Sequence, residues 1–245
     1  MPMGDWSDIL RAKGSASVGP TYSAVLIMYK LWGKTALFVW AGFAVVLANI
    51  EVSKGIEMFG MAMTLGNVIY VSTDFVTSIL NECHTKKEAR QSVLYGFIAS
   101  AMFVILSQLT IRFTPMEGSE EISEAMNLLF GFTPRVVASS LFTYLVASYI
   151  DTSIYDFFKR KVFKKDNTLH MFCRSELSSS ISQFIDSALF TVLAFTGVSE
   201  LGGNTFTGLA ILTLTTYAVK MIIGVVDTPF LYIAKQINKK SIKKE

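Results

Sequence analysis

Gln183 and Asp186 stand three residues apart in the run Gln183-Phe184-Ile185-Asp186. On a helix that spacing puts them on one face, offering both hydrogen-bond donors and acceptors. Such a face is suited to reading the edge of a planar heterocycle. Four further ionisable residues also interrupt apolar runs: Asp74, Asp151, Lys220 and Asp227. A charge placed in a bilayer costs at least about 2.5–3.5 kcal/mol on an insertion scale, so such groups face a bundle interior, pair, or line water. One lysine with one carboxylate would be an internal counter-ion that fixes helix packing. Here Asp74, Asp151, Asp186 and Asp227 stand against Lys220 alone, and the acidic excess points to a site for a small polar solute. A solute bearing amine, amide or cationic groups is its natural partner. Asn49, Asn67 and the serines before Gln183 add uncharged polar groups, most of the serines being read as helix packing. Tyr70, Phe75, Phe184 and Phe190 are candidate stacking faces, although lipid or core contact is the default for any single phenylalanine.

These residues need long apolar elements to carry them, and the composition supplies such elements. The chain of 245 residues is 51% apolar and 17% charged, with mean hydropathy +0.46. Soluble domains carry about a quarter charged residues. The apolar residues are also blocked into runs, each near the roughly 20 residues that span a bilayer. Six spans are expected, at residues 35–52, 62–81, 92–112, 134–158, 177–197 and 206–234. The fold class is therefore an all-α integral membrane bundle of six transmembrane helices in one domain, residues 35–235. A shorter apolar stretch, Tyr22–Trp32, precedes them as an interfacial helix or a helical extension. Residues 1–34 are read as a cytoplasmic or interfacial segment and 236–245 as a basic cytoplasmic tail. An acidic connection holding Glu117, Glu120, Glu121 and Glu124 follows the third span.

Cytoplasmic loops of membrane proteins are rich in Lys and Arg. The N-terminus, the loops Cys83–Gln91 and Lys159–Arg174 and the tail from Lys235 hold 18 of the 22 basic residues. The opposite loops carry Glu51, Glu57, Glu117, Glu120, Glu121, Glu124 and Glu200. Six spans with both termini cytoplasmic satisfy this partition, so the basic loops orient the protein and call for no nucleic acid. Counting rise along the spans brings the five ionisable groups between the midplane and the inner leaflet. Pro229 predicts a kink in the sixth span.

Other chemistries lack their residues. The histidines are His84 and His170, both assigned to loops, and no His/Cys/carboxylate spacing suggests a metal. Cys83 and Cys173 are too few for a disulfide framework. No nucleotide-binding G-x-x-x-x-G-K-[ST] run exists, nor a nucleophile with its base, so neither an enzyme nor a bound cofactor is expected. The first twenty residues contain Asp5, Asp8, Arg11 and Lys13 and lack the apolar core of a cleavable signal.

Several spaced blocks carry a more specific signal. They are Ala48-Asn49 with Lys54–Gly60, Thr64–Tyr70, Thr77–Glu82 with Lys86–Ala89, Tyr144–Asp151, Arg174–Asp186 with Phe190, and Lys220 with Asp227–Phe230. In this order they resemble the queuosine precursor transporter family of vitamin-uptake-transporter-like membrane proteins. The resemblance covers most of the chain from Ala48 onward, and the first 34 residues carry none of it. It implies a six-helix carrier in the cell (inner or plasma) membrane that imports 7-deazaguanine precursors for tRNA-modification salvage. The solutes implied are 7-cyano-7-deazaguanine, 7-aminomethyl-7-deazaguanine and, in some members, queuine. It adds Asn81, Glu82 and Arg174 to the candidates, so that the expected solute-binding set is Asn49, Asn67, Asp74, Asn81, Glu82, Asp151, Arg174, Gln183, Asp186, Lys220 and Asp227. Ser78 and Ser148 depart from the family pattern, which has an aspartate and a glutamine at those places. An alternative is the substrate-binding subunit of an energy-coupling-factor vitamin transporter, with Ala44 and Ala48 as a close-packing face for a scaffold helix. The partners expected are the small solute and membrane lipid, with a homodimer left open.

Overall fold

The computed structural model describes residues 18–52, 54–58, 61–131, 134–165, 167–197, 205–224 and 227–242. The sequence's apolar blocks form α1 (Val18–Trp32), α2 (Lys34–Glu51), α3 (Gly66–Cys83), α4 (Lys86–Thr110), α5 (Glu120–Phe130), α6 (Pro134–Phe157), α7 (Thr168–Phe195), α8 (Phe206–Gly224) and α9 (Asp227–Ile242). A π-helical turn, Phe158–Val162, extends α6. Between α2 and α3 lies a hairpin, β1 (Gly55–Met58) antiparallel to β2 (Met61–Thr64), with Glu57 opposite Ala62.

Breaks between elements have local causes. Gly33 takes φ 60°, a left-handed conformation that ends α1 and lets α2 begin at Lys34. Thr85 and Glu88 close a capping box at the start of α4, and Lys34 of α2 pairs with that glutamate at 2.6 Å. A side chain on Gly66 would press into the backbone of α2 at Ala48 and Val52, so only glycine lets α3 start so close.

α3 is the axis of the molecule. It touches α1, α2, α4, α6, α7, α8 and α9, and every residue from Val71 to Glu82 is buried. This explains how a helix carrying Ser72, Thr73, Asp74, Thr77, Ser78, Asn81 and Glu82 sits among apolar ones: its neighbours shield it from lipid. Among the described residues α2, α4 and α7 are by themselves long and apolar enough to cross a membrane, and there are up to five such spans if the bent pairs α5–α6 and α8–α9 each count as one. The outer faces match this, since Val39 and Phe43 on α2 and Ile98, Met102 and Ile105 on α4 are exposed.

The expected spans are shifted in places. The acidic connection contains α5, whose first turn holds Glu120 and Glu121, a favourable place for negative charge. α7 starts at Thr168, nine residues before the expected Leu177. The expected 206–234 span is two helices, whose axes meet at 45°. Pro229 is the third residue of α9, beside this bend, in keeping with the kink its missing N–H predicts. α1 packs on α2, α3 and α9, with Tyr22, Val25 and Tyr29 buried. Ala44 and Ala48, read as a face for a scaffold helix, are buried in the chain's own core.

Candidate functional site

A cavity of about 500 Å³ opens between α2, α3, α4, α6, α7 and α8. It occupies the half of the bundle where α2 ends and α3 and α6 begin, the end bearing the hairpin and Glu51. Asn49 and Asn67 line it near that end. Asn49 donates to Ser100 Oγ at 2.7 Å, tying α2 to α4. Tyr70, Tyr144 and Phe190 give it aromatic walls, and Ser140, Thr143, Thr191 and Thr216 add hydroxyls. Asp186 and Lys220 line it toward the middle of the bundle. The Lys220 ammonium donates to Asp186 Oδ2, both side chains are buried, and the Tyr70 ring lies 5.0 Å from the ammonium.

The remaining carboxylates lie deeper. A void of about 10 Å³, room for roughly one water, is lined by Asp74, Gln183, Lys220 and Asp227, with Glu176 and Ser179. Gln183 Nε2 donates to Asp74 Oδ2, binding α7 to α3, while Gln183 Oε1 and Ser179 Oγ have no partner. Thr228 Oγ1 donates to Glu176 at 3.1 Å. Asp151, 1% exposed, accepts from Ser178 at 2.7 Å and Ser182 at 3.2 Å through Oδ1, and its Oδ2 is unpartnered. The serines before Gln183 thus divide: Ser178 and Ser182 solvate a buried carboxylate rather than merely packing helices.

Asn81, Glu82 and Arg174 are placed elsewhere. They sit at the opposite end, in a network that joins α3, α6, α7 and α9. Glu82 accepts from Arg174, from Lys235 at 2.5 Å and from the Tyr155 hydroxyl at 3.0 Å. Lys159 caps the end of α3 through the carbonyls of Asn81 and Glu82, the latter at 2.9 Å, and Arg174 also donates to Phe163 O at 3.1 Å. This buried carboxylate holding two cations shuts the basic end beneath the void.

The structure therefore sorts the expected residues into three groups. Asn49, Asn67, Asp186 and Lys220 line the cavity; Asp74, Gln183 and Asp227, again with Lys220, line the void; Asn81, Glu82 and Arg174 bind the basic end. Asp151 stands by itself on α6, with its serine donors. Of the aromatic candidates, Tyr70 and Phe190 line the cavity, Phe75 packs against Tyr22 and Phe230, and Phe184 lies half-exposed against Tyr217. The departures from the family pattern are both buried, Ser78 facing Ser175 at 3.4 Å. Sequence reasoning missed Tyr144, Lys159 and Lys235. The lysines sit in basic loops that look solvated, and only the folded ends show them turned onto α3. Among the described residues no group of His, Cys, Asp and Glu is arranged to hold a metal.

Comparison with known proteins agrees with this architecture. A family model described as "Putative vitamin uptake transporter" matches residues 64–234, from the end of β2 into α9. The chain is 36% identical over 216 residues to a Bacillus subtilis (strain 168) protein named "Probable queuosine precursor transporter", covering 87% of this chain and 89% of that one. No solved structure matches. A helical bundle with lipid-facing apolar surfaces, a polar cavity and this match over most of its length is a transporter, not an enzyme, and a multi-pass cell-membrane protein; it belongs to the vitamin uptake transporter family.

Proposed function

We propose that the protein imports a queuosine precursor of the 7-deazaguanine class across the cell membrane. The observation that carries this is the Asp186–Lys220 pair exposed to a cavity with aromatic walls. A deazaguanine presents an N1–H and a 2-amino group beside a carbonyl oxygen. A carboxylate accepts from the two N–H groups side by side, as it does from an arginine fork, while the adjacent ammonium donates to the carbonyl. Tyr70 and Phe190 offer faces for the ring. The name of the Bacillus subtilis relative supports the same solute class.

In this reading six spans cross the bilayer: α2, α3, α4, α5–α6, α7 and α8–α9. The basic end and both termini face the cytoplasm by the excess of Lys and Arg. The cavity then opens outward, and the Glu82–Arg174–Lys235 network closes the inner side. In this reading the 7-substituent lies along the wall of hydroxyls, where among the described residues no second carboxylate lines the cavity. This favours the neutral 7-cyano compound over the cationic 7-aminomethyl one. Uptake of labelled 7-cyano-7-deazaguanine by cells unable to make queuosine tests the reading. Wild-type protein restores uptake, and 7-aminomethyl-7-deazaguanine competes less well than unlabelled solute; no restored uptake would falsify it.

A further inference from the structure

Lys220 lines both the cavity and the smaller void beneath it. It is paired upward, with Asp186. Below it, Asp74 and Asp227 face a water-sized space, 7% and 3% exposed. Their surroundings hold little to neutralise them. From α7 come Glu176, itself acidic, and Gln183; from α6, Asp151; from α3, Tyr70; and from α1, Tyr22, whose unpartnered hydroxyl lies within electrostatic reach of Asp227, Asp74 and Glu176. Among the described residues Lys220 is the one cation lining the void. Gln183 Oε1, on a residue 5% exposed, and Ser179 Oγ both lack partners there. Two buried carboxylates lining one small void, whose lysine is already paired with a third carboxylate, disfavour joint ionisation in a low dielectric and so take up a proton between them. The unpartnered oxygens give a water or a carboxyl O–H something to bond.

We propose that this void is a proton site, held by Asp74 and Asp227, and that Lys220 couples it to the solute cavity. The inference rests on the carrier reading above and gives it a driving force. With a proton in the void, nothing below attracts Lys220, and its ammonium stays at Asp186, where the pair is set to read the solute. When the proton leaves toward the basic end, the two ionised carboxylates draw the ammonium down. The cavity then loses its donor, and the solute is released. Proton and solute therefore bind with positive coupling, and the coupling is reciprocal. No covalent bond is made or broken; a proton enters from the acidic end and leaves at the basic end with the solute.

The test uses the full-length protein in proteoliposomes with the membrane potential clamped. Exchange of labelled for unlabelled 7-cyano-7-deazaguanine reads the carrier without a gradient. Net uptake with the lumen alkaline reads the proton, and one proton per solute supports up to about tenfold accumulation per pH unit. The wild type is expected to exchange at every pH gradient and to accumulate solute only with an inward one. Asp74→Asn and Asp227→Asn should each bring the accumulation ratio to one, while Asp227→Glu recovers it. Asp156→Asn, a surface carboxylate paired with Lys86 and Arg160, should accumulate as the wild type does. Wild-type exchange with no response to the pH gradient, accumulation driven instead by a sodium gradient at equal pH, or Asn variants that still accumulate would overturn the proton site. Absence of wild-type exchange would overturn the carrier reading itself, and the proton site with it.

Discussion

Asp186 and Lys220 are each other's counter-ion, the bland reading their types allow, and they also line a cavity, which that reading does not require. Removing the charge from one member leaves the other buried and uncompensated, a change that costs about 3–5 kcal/mol where no water enters. The open cavity supplies water here, so the effect should fall on the solute more than on the fold. Asp186→Asn is expected to lower uptake at least about tenfold, some 1.4 kcal/mol of solute recognition, while the protein still purifies as a folded species. Unchanged uptake in that variant would remove Asp186 from the site. That these two residues interrupt apolar runs was legible in the sequence, although the depth counted for Asp186 from Leu177 moves once α7 is seen to start at Thr168. The separation of Gln183 from Asp186 was not. Residues three apart differ by about 60° around the axis and 4.5 Å along it. On α7 that offset is enough to give Gln183 to Asp74 and the deeper void, and Asp186 to the cavity. Spacing establishes a shared face but not which neighbouring helix each residue meets.

Elements bring these side chains together by burying a polar helix inside apolar ones. Polarity along α3 weakens its reading as a span, yet its twelve consecutive buried residues, Val71 to Glu82, show that it seldom meets lipid. Its end is fixed by Glu82, where Arg174 of α7, Lys235 of α9 and Tyr155 of α6 converge. Glu82→Gln keeps the shape but leaves two cations without their carboxylate. Thermal unfolding in detergent should show a loss of about 3 kcal/mol or more, whereas Glu120→Gln, on exposed α5, should change little. Equal stability of the two variants would mean that the network does not hold the basic end. At the same corner the His84 ring meets the Tyr29 hydroxyl at 2.9 Å, joining α1 to the loop after α3. Burial holds the His84 pKa below its ordinary 6.5, so the folded state keeps the ring neutral while the unfolded chain takes up a proton near that value. The associated stability is present above about pH 6.5 and is lost as pH falls below it. His84→Gln should therefore flatten the decline of unfolding temperature between about pH 7 and 5. The bend into α9 was partly legible: Pro229 predicts a kink in the last span, and α8 and α9 meet at 45° beside it. The β1–β2 hairpin was not, since its short strands carry no periodicity long enough to stand apart from the flanking apolar run.

At the scale of the whole molecule, charge and shape share one polarity. The end with the cavity also bears the hairpin and the acidic connection, while the end with the Glu82 network gathers Lys159, Arg160, Lys161 and Lys235. In the proposed orientation, with the end rich in Lys and Arg inside, this conformation opens outward and is closed toward the cytoplasm. This makes a prediction about access that does not depend on uptake. Cys83 and Cys173 are free thiols, so both are first replaced by serine. A single cysteine is then introduced as Ser140→Cys, on the α6 wall of the cavity, or as Ser175→Cys, fully buried on α7 beside Ser78. A membrane-impermeant maleimide added outside intact cells should label the first and not the second, and 7-cyano-7-deazaguanine should slow the labelling. Adding Glu82→Gln to the Ser175→Cys protein should make that thiol reactive in inside-out vesicles, because the closure over the basic end is then weakened. Labelling of Ser140→Cys only from the cytoplasmic side would invert the orientation. The cavity would then be an exit rather than an entrance, and the direction of proton movement through Asp74 and Asp227 would have to be reassigned with it.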